Sequence, residues 1–363
     1  MTAGNESLNK SPNGSPSESP NESPNEKCSG SYKTFSFAGM ALDPIHVGTG
    51  GARLGRVDNT IVRDPVTRIP KIPGSSIAGV MRAYTAMKKE KYPGCAGLGQ
   101  PDGGGGHCGK ADCLVCTVFG FAKGAGSSGG FAGLAAFSDM HVLLFPVASQ
   151  LGPQWITCPT ALRQSGVKEL SEASDLPDQQ AIYRRKDEEK NQAFLNLGWL
   201  FLPVKTNWPQ KDETIQPDGI IQKIKKLNVP DYITNNLGIV SDKLFAYIVN
   251  SNLEVRTSVA IDPATGAAEE GALFTYEALP RGTVLSWELT CRNPKHFRVG
   301  ENVGQNDAKE VDSPEKVKKV IAEAWPYLEH LGIGGMGSRG MGRLRVLNNQ
   351  GLPDAGGTEE GDR

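Results

Sequence analysis

Four of the chain's seven cysteines, Cys95, Cys108, Cys113 and Cys116, fall within one short stretch, and His107 precedes Cys108. The pattern Cys108-x4-Cys113-x2-Cys116 has the ligand types and close spacing of a structural zinc site, and the glycine run at 103–106 cannot form a core of its own. Either Cys95 or His107 can complete the set, and the spacing alone does not choose between them. A site closed by four such ligands leaves no open position for a substrate, so a bound Zn2+ would be structural rather than catalytic. The alternative is a loop of reduced, unliganded thiols.

A second concentration of unusual residues runs from Gly332 to Arg343, with six glycines and two arginines in twelve positions. It lacks the Gly-Lys-Ser/Thr of a nucleotide-hydrolysing loop and lies between a helix and a strand rather than between a strand and a helix. Close backbone approach to a polyanion suits it better, with amides near Gly334, Gly335 and Gly340, and Arg339 or Arg343, meeting phosphates. The plainer alternative is a mobile linker. Ser75 and Ser76 open an apolar pattern of Ile77, Val80, Met81 and Tyr84, where a hydroxyl can both cap the helix and serve a phosphate. Asp58, followed by Asn59, has the chemistry of an Asx turn, and His46, close to Gly48 and Gly50, that of a hydrogen-bonded loop residue.

These residues need elements to hold them. Alternation over 33–42 predicts a strand, followed by a loop to 56, a short strand over 57–62, a turn-rich stretch and the helix capped by Ser75 or Ser76. Strand patterns recur over 134–147 and 155–158 around a turn at Leu151-Gly152-Pro153. The polar stretch 168–190 reads as a surface insertion. Ser241 caps a helix with Leu244, Phe245 and Ile248 on one face, and 253–285 reads as a protruding hairpin turning at Asp262-Pro263-Ala264-Thr265-Gly266. Ser313-Pro314-Glu315 opens a last helix that Pro326 should kink, and 344–347 closes the fold as a strand. The expected class is α+β: a ferredoxin-like, RNA-recognition-type core at 32–347, helices on one face of the sheet, a β-hairpin thumb and loop insertions. Residues 1–31, with a repeated Ser-Pro-Asn theme and no aromatic before Tyr32, and the Gly-, Asp- and Glu-rich 348–363 read as disordered tails.

A chain of 363 residues can bury a substantial core. Lys and Arg total 39 against 40 Asp and Glu, so any nucleic-acid surface must come from local clustering rather than bulk basicity. The runs Arg184-Arg185-Lys186 and Lys223, Lys225 and Lys226 read as solvated faces. No window reaches the ~18 consecutive apolar residues of a spanning helix, and the N-terminus lacks a signal peptide's order, so the expectation is a cytoplasmic protein with no membrane partner. Cys158 and Cys291, in apolar strand-like stretches, read as small buried hydrophobes. A zinc enzyme acting on a small molecule is a weak reading, because the cysteines close the site and no His-Glu-x-x-His motif is present.

Several segments, in order, carry a family resemblance. They are His46-Val47-Gly48-Thr49-Gly50, Leu54-Gly55-Arg56-Val57-Asp58, the run from Ile69-Pro70-Lys71-Ile72-Pro73-Gly74-Ser75-Ser76 to Arg82, Leu143-Leu144-Phe145-Pro146-Val147, Trp155-Ile156-Thr157-Cys158-Pro159, and the C-terminal glycine-rich loop. Together they resemble the RAMP superfamily, and in order and spacing the repeated backbone subunit of type III-B (Cmr) CRISPR effector complexes. The resemblance implies a subunit that binds CRISPR RNA, assembles with copies of itself in a helical filament beside other type III effector subunits, and inserts its thumb between bases. It further implies an RNA-guided endoribonuclease cutting base-paired target RNA at regular intervals with a divalent cation such as Mg2+. Asp58 falls on the family's catalytic aspartate, His46 near the guide and cleavage site, and Glu277 on the thumb, where Tyr276 replaces the first of two adjacent acids. Arg82 would add a guide-backbone contact, while Ala78 stands where the family often has Lys. A backbone subunit that only scaffolds RNA is the alternative within this resemblance, and a stand-alone zinc metalloprotein the alternative outside it.

Overall fold

Phe35 and Phe37 alternate with smaller residues along β1 (Tyr32–Ala41), and both rings are buried. In the computed structural model this strand lies between two others near one end of a large mixed sheet. The structure describes residues 30–50, 57–97, 106–108, 110, 112–121, 130–168, 176, 178–185, 192–206, 217–297 and 311–349. The tails expected over 1–31 and 348–363 therefore lie outside the described residues except at their inner ends, as do Leu54, Gly55 and Arg56 of the quoted motif. Asn348, assigned to the second tail, is buried; its side chain accepts from the Ala38 amide and donates to the Ser36 carbonyl, extending the β1 edge by one residue.

After β1 come β2 (Lys71–Ile72), α1 (Gly74–Lys88), α2 (Leu114–Phe119), β3 (Ala135–Phe137), β4 (Met140–Val147), β5 (Gln154–Thr157) and α3 (Pro159–Arg163). Next are β6 (Ile182–Arg184), β7 (Phe194–Leu197), β8 (Leu200–Lys205), α4 (Pro217–Lys225), α5 (Asp231–Thr234), β9 (Leu237–Ile239) and α6 (Asp242–Ser251). The chain then forms β10 (Glu254–Ile261), β11 (Ala268–Ala278), β12 (Val284–Arg292), α7 (Pro314–Ala322), α8 (Trp325–His330) and β13 (Leu344–Val346). The main sheet runs β13-β1-β12-β4-β5-β9-β6-β8-β7, with β2 on β4 and β3 on β12; β5 with β9 and β6 with β8 are parallel, the other pairs antiparallel. Strands β10 and β11 form a separate two-stranded hairpin.

Period two divides the core. Phe35, Phe37, Ile156 and Trp287 face one cluster with Ile77 and Met81 of α1 and Val317 and Ile321 of α7. Ala38, Met40 and Trp155 face the other, with Ile220, Ile221 and Ile224 of α4. Helices thus cover both faces, correcting the one-face expectation: α4 and α5 arise from a segment whose helical spacing is short and flanked by polar residues. Phe37, Trp287 and Trp325 pack ring to ring at centroid distances of 5.4 to 6.2 Å, and removing one such buried ring typically costs about 3–5 kcal/mol.

Ser241 and Ser313 cap α6 and α7 as expected, accepting from Leu244 and Lys316 amides. Other local expectations are corrected. Residues 57–62 form no strand, only isolated bridges, because their partners are single residues of the hairpin base and of the loop at Gly48. The helix at 74 is not capped by Ser75 or Ser76; Pro73 is its N-cap, and Asp139 accepts from the Gly74 amide at 2.8 Å. The 168–190 stretch contains β6, and Arg184 is buried at its end rather than solvated. Pro326 does more than kink the last helix: with Pro326 in the first turn of α8, the segment divides into α7 and α8. Among the described residues no helix is long and apolar enough to cross a membrane.

Candidate functional site

Three segments meet at the base of the hairpin: the loop after β1, the stretch 57–63, and the glycine-rich loop. His46, on the first of them, reaches both the hairpin base and the glycine loop. Its ring is buried, its Nδ1 lies 2.6 Å from the Glu277 carbonyl, and its own carbonyl accepts from the Gly335 amide at 2.8 Å. A carbonyl only accepts, so Nδ1 is the nitrogen that carries the proton. Tyr276 meets the ring edge-on at 5.8 Å. His46 therefore joins the hairpin base to the glycine loop from inside, as a hydrogen-bonded loop residue.

The glycine loop is a built element and not a loose linker. Ile333 and Met341 are buried, Ile333 N donates to Gly342 O, Gly342 N to Pro44 O, and the Tyr84 hydroxyl of α1 to Gly332 O. Gly334 has φ +92°, and a Cβ there would stand 2.3 Å from the His46 carbonyl oxygen, so only glycine permits this approach. Gly340, at φ +74°, faces open space. The two arginines differ: Arg343 pairs with Asp43 and holds its carboxyl below the usual range, whereas exposed Arg339 lies over the Phe274 ring at 5.8 Å and reaches Ser258 at 3.3 Å.

Asp58 is exposed, and its carboxylate is directed to the hairpin rather than into an Asx turn. Oδ2 accepts from the Thr275 amide at 2.7 Å and its hydroxyl at 2.9 Å, while the Asp58 amide donates back to that hydroxyl at 3.1 Å. Those donors, the amide foremost, hold the carboxyl below its ordinary pKa, so it is charged at neutral pH. No other described residue donates to Oδ1. Two residues further along β11 and on the same face, Glu277 is paired with Arg63 at 2.8 Å and accepts from the Ile61 amide. Among the described residues Asp58 Oδ1 thus has no donor, while Glu277 is committed to an internal ion pair.

Ser75 and Ser76 lie in the first turn of α1, Ser75 exposed, beside an N-terminus whose leading amide already has Asp139 as partner. Arg82 is engaged elsewhere than expected: Nε donates to Cys95 O at 2.8 Å, Nη1 to Gly120 O at 2.7 Å, and Nη2 lies 3.9 Å from Cys116 Sγ. It braces the cysteine cluster from α1.

In that cluster the sulfurs of Cys95, Cys108, Cys113 and Cys116 all lie within 4.8 Å of one another. A tetrahedral site with Zn–S about 2.3 Å requires sulfur separations of about 3.8 Å, and Cys95–Cys113 and Cys108–Cys116 stand at 3.7 and 3.6 Å. The geometry assembles Cys95, not His107; the His107 ring packs on Phe121 at 5.4 Å. Neighbouring thiols donating to Cys113 lower its pKa to about 4, while burial pushes Cys95 up to about 11.

Sequence reasoning missed Thr275, Arg63 and Asp43. The signal for the first was available: Thr275 and Glu277 share a face of an alternating strand. The partnership with Asp58, 217 residues away, was not.

A family model for the RAMP superfamily matches residues 40–345. The chain belongs to the RAMP superfamily. Among the relatives of this RAMP protein, the CRISPR endoribonuclease Csm3 of Methanothermobacter thermautotrophicus is 41% identical over 88 residues, covering 24% of this chain and 32% of Csm3. The Cmr endoribonuclease Cmr4 of Pyrococcus furiosus is 26% identical over 256 residues, 67% of this chain and 77% of Cmr4. The chain thus spans about a third of the length of the first and over three quarters of the second. Oligomeric Cmr4 from Pyrococcus furiosus shares the fold at TM-score 0.52 and 18% identity, over 86% of this chain and 97% of that one. A chain of the type III-B Cmr-beta complex bound to cognate target RNA does so at 0.55 and 16%, over 88% and 99%.

Proposed function

We propose that this RAMP protein is a backbone subunit of a type III CRISPR effector, which binds CRISPR RNA beside copies of itself and other effector subunits in the cytoplasm and cleaves base-paired target RNA. The observation that carries the proposal is Asp58: an exposed carboxylate, kept ionised by Thr275 of the hairpin. The names borne by Cmr4 and Csm3 support the same activity. On this reading β1, α1, β4 and β12 are the frame of a ferredoxin-like core, the β10–β11 hairpin is the thumb, and its exposed Val255, Val259, Ile261 and Leu273 are the surface it offers to bases.

In the reaction, the 2'-oxygen of a splayed ribose attacks the adjacent phosphorus and the 5'-oxygen of the next nucleotide leaves, giving a cyclic phosphate; the 2'-proton passes to water and the leaving oxygen takes one from water. A carboxylate held below its ordinary pKa is a weak proton acceptor, so Asp58 orients the 2'-hydroxyl through Oδ1 and stabilises charge rather than serving as a strong base. Asp58 could also ligate Mg2+, which takes one or two carboxylates plus substrate phosphates and would polarise the phosphoryl oxygens. Among the described residues no carboxylate cluster competes for that role. His46 and Glu277 position the hairpin base, and Arg339 with the Gly334–Gly335 and Gly340 backbone, and Ser75 and Ser76, meet RNA phosphates. Cys95, Cys108, Cys113 and Cys116 hold a structural Zn2+, with Arg82 facing the thiolate charge.

The test is purification of the tagged protein from its host and sequencing of bound RNA. Short RNAs sharing a repeat-derived 5' tag are expected; protein free of RNA and of companion subunits would overturn the proposal.

A further inference from the structure

A groove of about 380 Å³ beside the hairpin base is lined by Thr49, Thr60, Val62, Arg63, Pro65 and Arg68, among others, and by no carboxylate of the described residues. Its two arginines are not equivalent. Arg63 spends Nη2 on Glu277, Nη1 on the Ile61 carbonyl and Nε on Asn250 Oδ1. Arg68 is exposed, and no described residue accepts from its guanidinium. The nearest acid in sequence, Asp64, turns Oδ1 to the Val66 and Thr67 amides and the Thr67 hydroxyl.

Arg68 also sits at φ +62°, a left-handed conformation that Gly or Asn adopts more readily than Arg. The turn is held from both sides, since Arg68 N donates to Asp64 O at 3.0 Å and Asn250 Nδ2 to Arg68 O at 3.2 Å. The backbone would be better served by another residue, so what this position supplies is the guanidinium. Across the groove the Thr49 and Thr60 hydroxyls stand 3.5 Å apart, joined by the Thr49 N to Thr60 O bond at 3.1 Å. A cation with no acceptor among the described residues, lining one groove with two hydroxyls and the apolar Val62 and Pro65, is matched to a sugar-phosphate unit. Thr60 is two residues from Asp58, which bounds their Cα separation at about 7 Å.

We infer that the groove of Thr49, Thr60 and Arg68 is a phosphate subsite that holds the RNA backbone next to the nucleotide presented to Asp58. The inference rests on the ribonuclease reading above. The strand is guide or target; the phosphate chemistry is common to both, and the experiment separates them.

The test uses Arg68→Asn, which tolerates the left-handed backbone, with Arg68→Lys to restore charge. Binding is measured against salt for a labelled guide RNA on the full chain, and for a labelled complementary target RNA on guide-loaded assemblies. Loss of one single-strand phosphate contact lowers the slope of log affinity against log salt by about 0.7, roughly a five-fold loss at 0.1 M salt. Arg68→Asn should show that change and Arg68→Lys should reverse most of it; a change in the first arm assigns the guide strand, one confined to the second the target strand. Unchanged slopes in both arms, with wild-type melting behaviour, would overturn the subsite. Asp58→Asn run alongside separates the two readings, since it abolishes cleavage with wild-type salt slopes if Asp58 acts as proposed, whatever Arg68 does.

Discussion

Gly334 and Gly340 stand six residues apart in one loop, both at positive φ, and alanine at the two sites should have different consequences. At Gly340 the added methyl meets nothing within 4 Å, so the cost is that of a left-handed alanine, about 1–2 kcal/mol. At Gly334 the same conformational cost is joined by a collision, because the methyl would lie 2.3 Å from the His46 carbonyl oxygen, 0.7 Å short of the closest approach real Cβ atoms make. His46 or the loop must retreat, and the Gly335 N to His46 O bond is lost, adding about 1 kcal/mol or more. The expected difference between Gly334→Ala and Gly340→Ala is thus about 1–2 kcal/mol of unfolding free energy. Parallel urea titrations followed by tryptophan fluorescence measure it, and target cleavage by assemblies of each variant measures the functional counterpart. Gly334→Ala should be the less stable and the slower to cut, since displacing His46 shifts the Glu277 backbone to which its ring is bonded. Equal stability of the two variants would refute the account of a rigid loop locked against His46.

Protein purified without chelator should hold about one zinc per chain by elemental analysis; Cys113→Ser with Cys116→Ser should lose the metal and lower the melting temperature while sparing cleavage, and a metal-free wild type would rule the site out. The Thr275 hydrogen bonds keep Asp58 charged well below neutrality, so their stabilisation is present above the unfolded carboxyl pKa and is lost as pH falls through the lower folded value. The cleavage rate between pH 5 and 8 should therefore carry no inflection assignable to Asp58, and Thr275→Val should raise the Asp58 midpoint toward its ordinary value in a carboxyl-carbon NMR titration. A midpoint between pH 5 and 8 that moves in Thr275→Val would contradict this.

What could be read from sequence followed the range of the physics. Period two in β1 and the hairpin, the Ser241 and Ser313 caps, and the spacing of four cysteines are local, and all reappear in the structure. The cap at Ser75 or Ser76 failed because Asp139, 65 residues away, takes the Gly74 amide first. Arg82 looked like a phosphate ligand because its helix lies behind a motif-rich turn, yet the carbonyls of Cys95 and Gly120 claim it in three dimensions. The candidate site shows the same limit. Asp58, His46 and the glycine loop stood out by residue type, whereas Thr275, Arg63 and the Asp43–Arg343 pair acquire meaning only when the hairpin folds back onto the loop.

The role of Asp58 is tested most directly by target cleavage by guide-loaded assemblies containing Asp58→Asn, which keeps the size of the side chain and its oxygen facing Thr275. Assembly and target binding should be normal and cutting abolished. Cutting at the wild-type rate and the same regular intervals would contradict that role and leave the subunit a scaffold for RNA.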